Sequence, residues 1–370
     1  MKFPALFIIV NQIVIFYFFS KNIKNKYHSL PEELLAEILL RLPVKSLGRF
    51  KCVCKSWCSI INSPYFTARH TYTTNLYLLL CPSIVRLGEI HRLSYDTLRV
   101  VEKTKYHPQI DLEFGKIDIL SSCNGLILFS AFFQNKWGLW NPTTGQTKLL
   151  PFSSSDQITW CSFGFGFDTE TMDYKVVMVY KQHNDTRLVT MYSLKTNTRT
   201  SIATFSDEGL ELIYGWPGHF SNNGMISWIA MYNVDGKARD TILSIDLRSE
   251  TIITTPCPSS ITVLHHSPLV YKESLALVDV EGERGYDIWV LGKYGVEESW
   301  KKLFTVQHLR AIDRVLGFWK DAGKVFVEKY DLETDLLLLD IATQETTSLH
   351  ISKKCNTLLT YRESLVSLNS

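Results

Sequence analysis

Cys52, Cys54 and Cys58 form the only cysteine cluster in the chain and are its first candidates for chemistry. Thiolates bind zinc when they converge on a tetrahedron. On a helix Cys54 and Cys58 share a face while Cys52 points elsewhere, so this spacing supplies no such geometry. Small buried hydrophobes are the simpler reading. Cys81, Cys123, Cys161, Cys257 and Cys355 lie far apart, without a disulfide framework. They read as reduced thiols of a cytosolic or nuclear protein. His265-His266 is an isolated pair with no nearby partner and reads as a loop. No Gly-rich phosphate loop, H-E-x-x-H or G-x-S-x-G occurs. Gly164-Phe165-Gly166-Phe167 alternates bulk with none, which suits a strand in a crowded place. Asp96, Asp246 and Asp340 fall at strand ends beside turns, where carboxylates cap turns. A glycan-active hydrolase would need converging acidic pairs instead. The expectation is a chain with no catalytic residues, no metal ligands and no cofactor.

Stepping outward, 370 residues give room for about two domains. The hydrophobic fraction is 45% and the charged fraction 21%, enough for a large core. Thirty-nine basic and 37 acidic residues leave a net charge of +2 with no long run of one sign, so no nucleic-acid partner is expected. Phe3 to Phe19 is apolar and uncharged, broken only by Asn11 and Gln12. It is slightly short of the roughly 20 residues that span a bilayer. No small-residue cleavage site follows Phe18-Phe19-Ser20. Lys21, Lys24 and Lys26 follow the stretch, so insertion would leave the rest of the chain in the cytosol. Residues 1–26 thus have two readings: an anchor confined to residues 3–19, or an extension without function.

Residues 28–66 carry a helical pattern. Ser29 and Glu32 have the spacing of a capping box, with Pro31 in the first turn. Leu34, Leu35, Ile38, Leu39 and Leu42 make one apolar stripe. Pro43 stops that helix. A short second helix runs through Leu47 and Phe50, and a third from about Val53 to Ile61, ending before Pro64.

From Asn75 onward the period becomes two. Strands are expected at 76–80, 125–129, 175–180, 225–230, 275–280 and 325–328, each followed by a second strand and a polar turn. The second strands end near positions 96, 141, 193, 246, 290 and 340, at intervals of 45, 52, 53, 44 and 50 residues. Four-stranded propeller blades repeat at about 40–50 residues, whereas immunoglobulin-like sandwiches need about 100. Nine Trp and an aromatic fraction of 12% also favour strands. A six-bladed β-propeller is therefore expected, with the Gly-Phe alternation on an inner strand. Tyr361-Arg362-Glu363-Ser364-Leu365-Val366 copies Tyr271-Lys272-Glu273-Ser274-Leu275-Ala276, yet no blade follows it. Residues 361–368 are expected to pair with 76–80 and close the ring.

The residues Leu30-Pro31, Leu34, Ile38-Leu39, Leu42-Pro43, Leu47, Phe50, Val53-Cys54-Lys55, Trp57, Pro64 and Phe66 resemble the F-box family in order and spacing. Cys123-Asn124-Gly125-Leu126, Trp140-Asn141-Pro142-Thr143-Thr144-Gly145 and Gly164-Phe165-Gly166-Phe167-Asp168 resemble the F-box-associated, kelch-like propeller domain of plant F-box proteins. The chain departs from that family in its apolar leader and at Val290, where other blades carry a polar residue. The resemblance implies a mainly β protein with a small three-helix domain: an F-box at 27–69 and a propeller at 70–370. It implies the substrate-recognition subunit of a Skp–cullin–F-box ubiquitin ligase, itself non-catalytic. Leu30, Pro31, Leu34, Leu35, Ile38, Leu39, Leu42, Pro43, Leu47, Val53 and Trp57 would meet the Skp adaptor, and through it a cullin–RING scaffold. The propeller would hold a protein substrate whose identity the sequence does not carry. A non-degradative adaptor-binding module and an S-locus-type pollen receptor are the alternatives. The compartment would be cytoplasm or nucleus, or a membrane with the F-box facing the cytosol.

Overall fold

The computed structural model describes residues 31–82, 89–105, 117–131, 136–151, 158–182, 186–205, 210–212, 219–220, 224–234, 237–259, 261, 268–280, 285–307, 312–320, 323–329, 335–352 and 355–368. The leader, Ser29, Leu30, His265 and His266 lie outside them. The chain divides into two compact units, residues 1–42 and 43–370.

In the first unit, α1 spans Glu32–Leu39. Its cap is Pro31, extended at φ −50° and ψ 142°, with no side-chain cap bond. The helix thus starts two residues past a cap at Ser29. Proline has a fixed φ and no N–H to satisfy, and its carbonyl still accepts from the Leu35 N–H at 3.1 Å.

The second unit opens with three helices: α2 (Val44–Phe50), α3 (Lys55–Asn62) and α4 (Pro64–Thr73). The last was not expected. Pro64 does end α3, but it also sits at the first position of α4, where Ser63 accepts from the Phe66 N–H at 3.2 Å.

Six sheets follow. The first holds β1 (Leu76–Pro82), β2 (Glu89–Ser94) and β3 (Val100–Lys105). The second holds β4 (Asp118–Cys123), β5 (Leu126–Ala131), β6 (Lys136–Trp140) and β7 (Thr147–Leu149). The third holds β8 (Ile158–Asp168), β9 (Asp173–Gln182), β10 (Arg187–Ser193) and β11 (Thr198–Phe205). The fourth holds β12 (Leu210–Leu212), β13 (His219–Phe220), β14 (Met225–Val234), β15 (Lys237–Asp246) and β16 (Ile252–Pro256). The fifth holds β17 (Leu269–Tyr271), β18 (Ser274–Val280), β19 (Gly285–Leu291) and β20 (Trp300–Gln307). The sixth holds β21 (Ile312–Trp319), β22 (Lys324–Lys329), β23 (Asp335–Asp340) and β24 (Thr346–Ser352). The last strand, β25 (Cys355–Arg362), returns to pair with β1 antiparallel, Tyr77 opposite Tyr361.

Alternation along each second strand explains how sheets become blades. Side chains of successive residues leave opposite faces. Val176 and Met178 of β9 pack with Leu126 and Leu128 of the second blade. Val177 and Val179 pack with Ile226 and Trp228 of the fourth. The same division joins the fourth blade to the fifth through Ile229 and Leu277, the fifth to the sixth through Val278 and Val325, the sixth to the first through Phe326 and Leu80, and the first to the second through Leu79 and Phe129. Burial on both faces makes such strands continuous apolar runs. The first strands approach one another in the cyclic order β25, β4, β8, β13, β17, β21 and back to β25, so they line the axis of a closed six-bladed β-propeller. Gly164 on inner strand β8 confirms the crowding expected there: a Cβ would stand 2.2 Å from Ile226 Cγ2 and 2.7 Å from Trp228 Cζ2.

Closure occurs in the expected sheet but with a different segment. Residues 355–362 form the strand, while 363–368 run on past it. In the earlier copy Tyr271 ends β17, Lys272 turns at φ 55°, and Ser274 begins β18. At the chain end that second strand is supplied by β1, so only the first two residues of the copy, Tyr361 and Arg362, pair.

Candidate functional site

Two places stand out: the helical segment and the junction of α4 with the ring. On α1, the wide stripe divides. Leu35 and Leu39 are buried, Ile38 is half-buried, and Leu34 stands 53% exposed. Leu34 is therefore not part of the core, and a single exposed leucine is ordinary by itself. Leu42 is buried in the turn where its N–H donates to the Leu39 carbonyl at 3.0 Å, and Pro31 is exposed.

In the second unit, Pro43 is exposed and caps α2, whose Val44 and Leu47 are buried. Val53 is half-buried in the turn before α3. Trp57 is buried on α3, edge-on to Phe50 with ring centroids 5.4 Å apart. Of the described candidates for adaptor contact, Pro31, Leu34 and Pro43 are therefore at the surface. Leu35, Leu39, Leu42, Leu47 and Trp57 are buried and shape the helices that present them. Leu30 falls outside the described residues.

The described cysteines do not gather. Cys52 is exposed, Cys54 and Cys58 are intermediate, and the Asn62 amide donates to Cys58 Sγ at 3.2 Å. No cluster of three or more His, Cys, Asp or Glu able to hold a metal occurs among the described residues. Burial pushes the Cys161 and Cys257 thiols up to about 12, and Cys123 higher still, so each stays protonated at neutral pH. Asp246 and Asp340 cap turns: their carboxylates accept from the Arg248 N–H at 2.8 Å and the Ala342 N–H at 3.0 Å.

At the junction, α4 buries Phe66, Thr67, His70 and Thr71, and its Thr67, Ala68 and Thr71 stand beside third-blade residues of the ring. Residues 363–368 form a strap that touches both. From the helix side, the Thr74 hydroxyl shares its proton between the Thr71 carbonyl at 2.7 Å and the Glu363 carbonyl at 3.2 Å, and Thr71 Oγ1 lies within hydrogen-bond reach of Ser364 Oγ at 3.3 Å. The Arg362 guanidinium donates to the Tyr72 and Thr74 carbonyls. From the ring side, Asn141 Nδ2 donates to the Ser364 carbonyl at 3.0 Å and the Val366 carbonyl at 2.9 Å. Gln146 Oε1 accepts from the Leu368 N–H at 3.0 Å. Leu368 is 1% exposed and packs into the core between the second and third blades. Beside the strap is a cleft of about 240 Å³, lined by Ala68 and Thr71 of α4, Phe167, Met172 and Leu194 of the third blade, and Val366. Sequence reasoning missed this junction, although ring-side Gly125 and Asn141 lie in the segments Cys123–Leu126 and Trp140–Gly145 that carry the family resemblance.

Comparison with known proteins agrees with this architecture. Residues 28–69 match the F-box domain, and residues 82–368 match the F-box associated beta propeller domain. An F-box/kelch-repeat protein of Arabidopsis thaliana is 30% identical over 324 residues, covering 82% of this chain and 86% of the relative. The F-box protein CPR1 of the same plant is 26% identical over 362 residues, covering 88% and 85%. With an F-box ahead of a closed six-bladed ring, both matched by family models, the chain belongs to the plant F-box proteins that carry an F-box-associated β-propeller.

Proposed function

We propose that this protein is the substrate receptor of a Skp–cullin–F-box ubiquitin ligase. The F-box binds a Skp adaptor, which connects it to a cullin–RING scaffold, and the propeller holds a protein substrate. The observation that carries this reading is the tandem order, an F-box at residues 28–69 followed by a propeller at 82–368. The mechanism is positioning. A receptor that holds a substrate lysine beside a ubiquitin-charged conjugating enzyme raises its effective concentration. The bond-making groups belong to other subunits.

Exposed Leu34 is the residue that tests the adaptor contact most cleanly, because it is not part of the core. A charge placed in a dry apolar contact costs several kcal/mol. Leu34→Lys should weaken capture of a Skp adaptor at least about tenfold while the melting temperature holds. Ubiquitin transfer in a complex reconstituted with cullin, RING protein and conjugating enzyme should fall in parallel. Adaptor capture unchanged by Leu34→Lys would count against the contact, and a wild-type chain that captures adaptor without supporting transfer would point to a non-degradative module.

The same reading places the protein in cytoplasm or nucleus. No helix among the described residues is long and apolar enough to cross a membrane. Residues 3–19 lie outside them, so the membrane-anchored alternative turns on that stretch alone. Release of the full chain from plant-cell membranes by carbonate would exclude an inserted segment.

A further inference from the structure

The strap at residues 363–368 is held more closely than ring closure requires. Pairing of β25 with β1 is complete at Arg362. Beyond it, Ser364 is 0% exposed and sits over Gly125, where a Cβ would come within 2.2 Å of Ser364 Cβ and 2.7 Å of the Arg362 carbonyl. Gly125 also has φ +85°, so a side chain is disfavoured there twice over. Asn141, itself 0% exposed, divides its amide between two tasks. Its Oδ1 caps its own turn by accepting from the Thr143 N–H at 2.9 Å, and its Nδ2 grips the strap through two main-chain carbonyls. Ring-side grip on backbone and helix-side grip on Glu363 and Ser364 meet in one short segment. Nothing else described ties the end of α4 to the second blade in this way.

We propose that the strap is the joint that fixes α4, and α3 packed beside it, in one orientation on the ring. Asn141 and Gly125 are then positioning residues for ubiquitin transfer, acting through the strap. This rests on the ligase reading, because a receptor works by holding its target at a set place relative to the conjugating enzyme, and a loose joint would spread that place over many. The strap touches no substrate. It sets where the ring points once the helices are engaged.

Asn141→Asp separates the two tasks. The variant keeps the Oδ1 that caps the turn and replaces the donor with an acceptor facing two carbonyls. Thr74→Val removes the hydroxyl that reaches the Glu363 carbonyl at 3.2 Å, together with its closer bond to the Thr71 carbonyl at 2.7 Å within the end of α4, so the same acceleration must also appear in Asn141→Asp, which leaves the helix untouched. Both are made in the full chain, purified with a Skp adaptor. Hydrogen exchange is followed by mass spectrometry over α4, β9 and β18. Ubiquitin acceptor sites are mapped on the chain's own lysines, so no substrate need be known. The expected result is exchange in α4 faster by about tenfold or more, unchanged exchange in β9 and β18, unchanged adaptor capture, and a redistribution of the modified lysines. Unchanged exchange in α4 for Asn141→Asp would overturn the joint. So would acceleration shared equally by all blades, which would make the strap a general stabiliser. Faster α4 exchange with an unchanged lysine pattern would overturn the positioning role. A wild-type chain that captures no adaptor would instead sink the ligase reading, and the exchange result would still decide the joint.

Discussion

Asp118 opens the inner strand β4 and is half-buried there. Burial raises its pKa to about 6. An acid raised in the folded state destabilises the fold above its folded value and carries no penalty below its unfolded value, near about 3.9. Asp118→Asn should therefore stabilise the protein at pH 7.5, and the gain should fade as pH falls from 6 towards 4. Partial exposure screens the effect, leaving on the order of 1 kcal/mol. Urea midpoints of both proteins across that range test the sign: a gain that grows on acidification would refute the assignment. Asp118 drew no notice in the sequence because a single Asp in a strand carries no pattern. Asn141 differs. The segment around it was legible as a family feature, but its work was not, since the carbonyl it grips on Ser364 lies 223 residues along the chain. Spacing reveals partners within a helix or hairpin. It does not reveal those that only ring closure brings together.

The elements show the same boundary between local and distant information. The second strands of the blades, β5, β9, β14, β18 and β22, were readable because burial on both faces makes them apolar runs, as in Val176 to Val179 and Leu275 to Val278. The polar turns after the third strands β6, β15 and β23 were readable because Asn141, Asp246 and Asp340 accept from nearby main-chain N–H groups. Of the inner strands β8 was noticed through its Gly-Phe alternation, and β25 only at its end, Tyr361-Arg362. The others are short or broken: β17 has three residues and β13 two. α4 escaped notice because Pro-Tyr-Phe-Thr-Ala-Arg-His-Thr-Tyr-Thr has no Leu or Ile stripe. Apart from Phe66 its buried face is built from Thr67, His70 and Thr71, and the Thr71 hydroxyl donates back to the Thr67 carbonyl at 2.9 Å. Such back-bonding satisfies a buried hydroxyl without any sequence signature of a core. On α1, the stripe was legible as a whole. Which of its leucines faces solvent was not, since Leu34 and Leu35 are adjacent on a wide apolar face.

At the scale of the whole ring, stability is a circular matter. Six apolar layers join six blades, and each layer exists only if both neighbours are present. A linear stack would leave the outer faces of its first and last blades in water. β25 prevents this by giving the first blade its inner strand from the chain's other end, in a register that runs from Leu76 opposite Arg362 to Cys81 opposite Thr357. Tyr361, at 3% exposure, completes the layer between the first and second blades, and Leu365 and Leu368 are buried beyond it at 5% and 1%. Each such side chain contributes roughly 1.5–3 kcal/mol on full burial, before the ladder of hydrogen bonds is counted. Deleting residues 355–370 should thus cost far more than trimming an exposed tail. The first blade would lose its inner strand and β1 would become an open edge. The expected outcome is a chain that aggregates on expression or melts many degrees lower, with hydrogen exchange rising first in β1 and β5 on either side of the break. Deleting only 363–370 keeps β25 and the closed ring, so its loss should be smaller and should fall on α4. Equal damage from the two deletions would mean that the strap, rather than the closing strand, holds the ring shut.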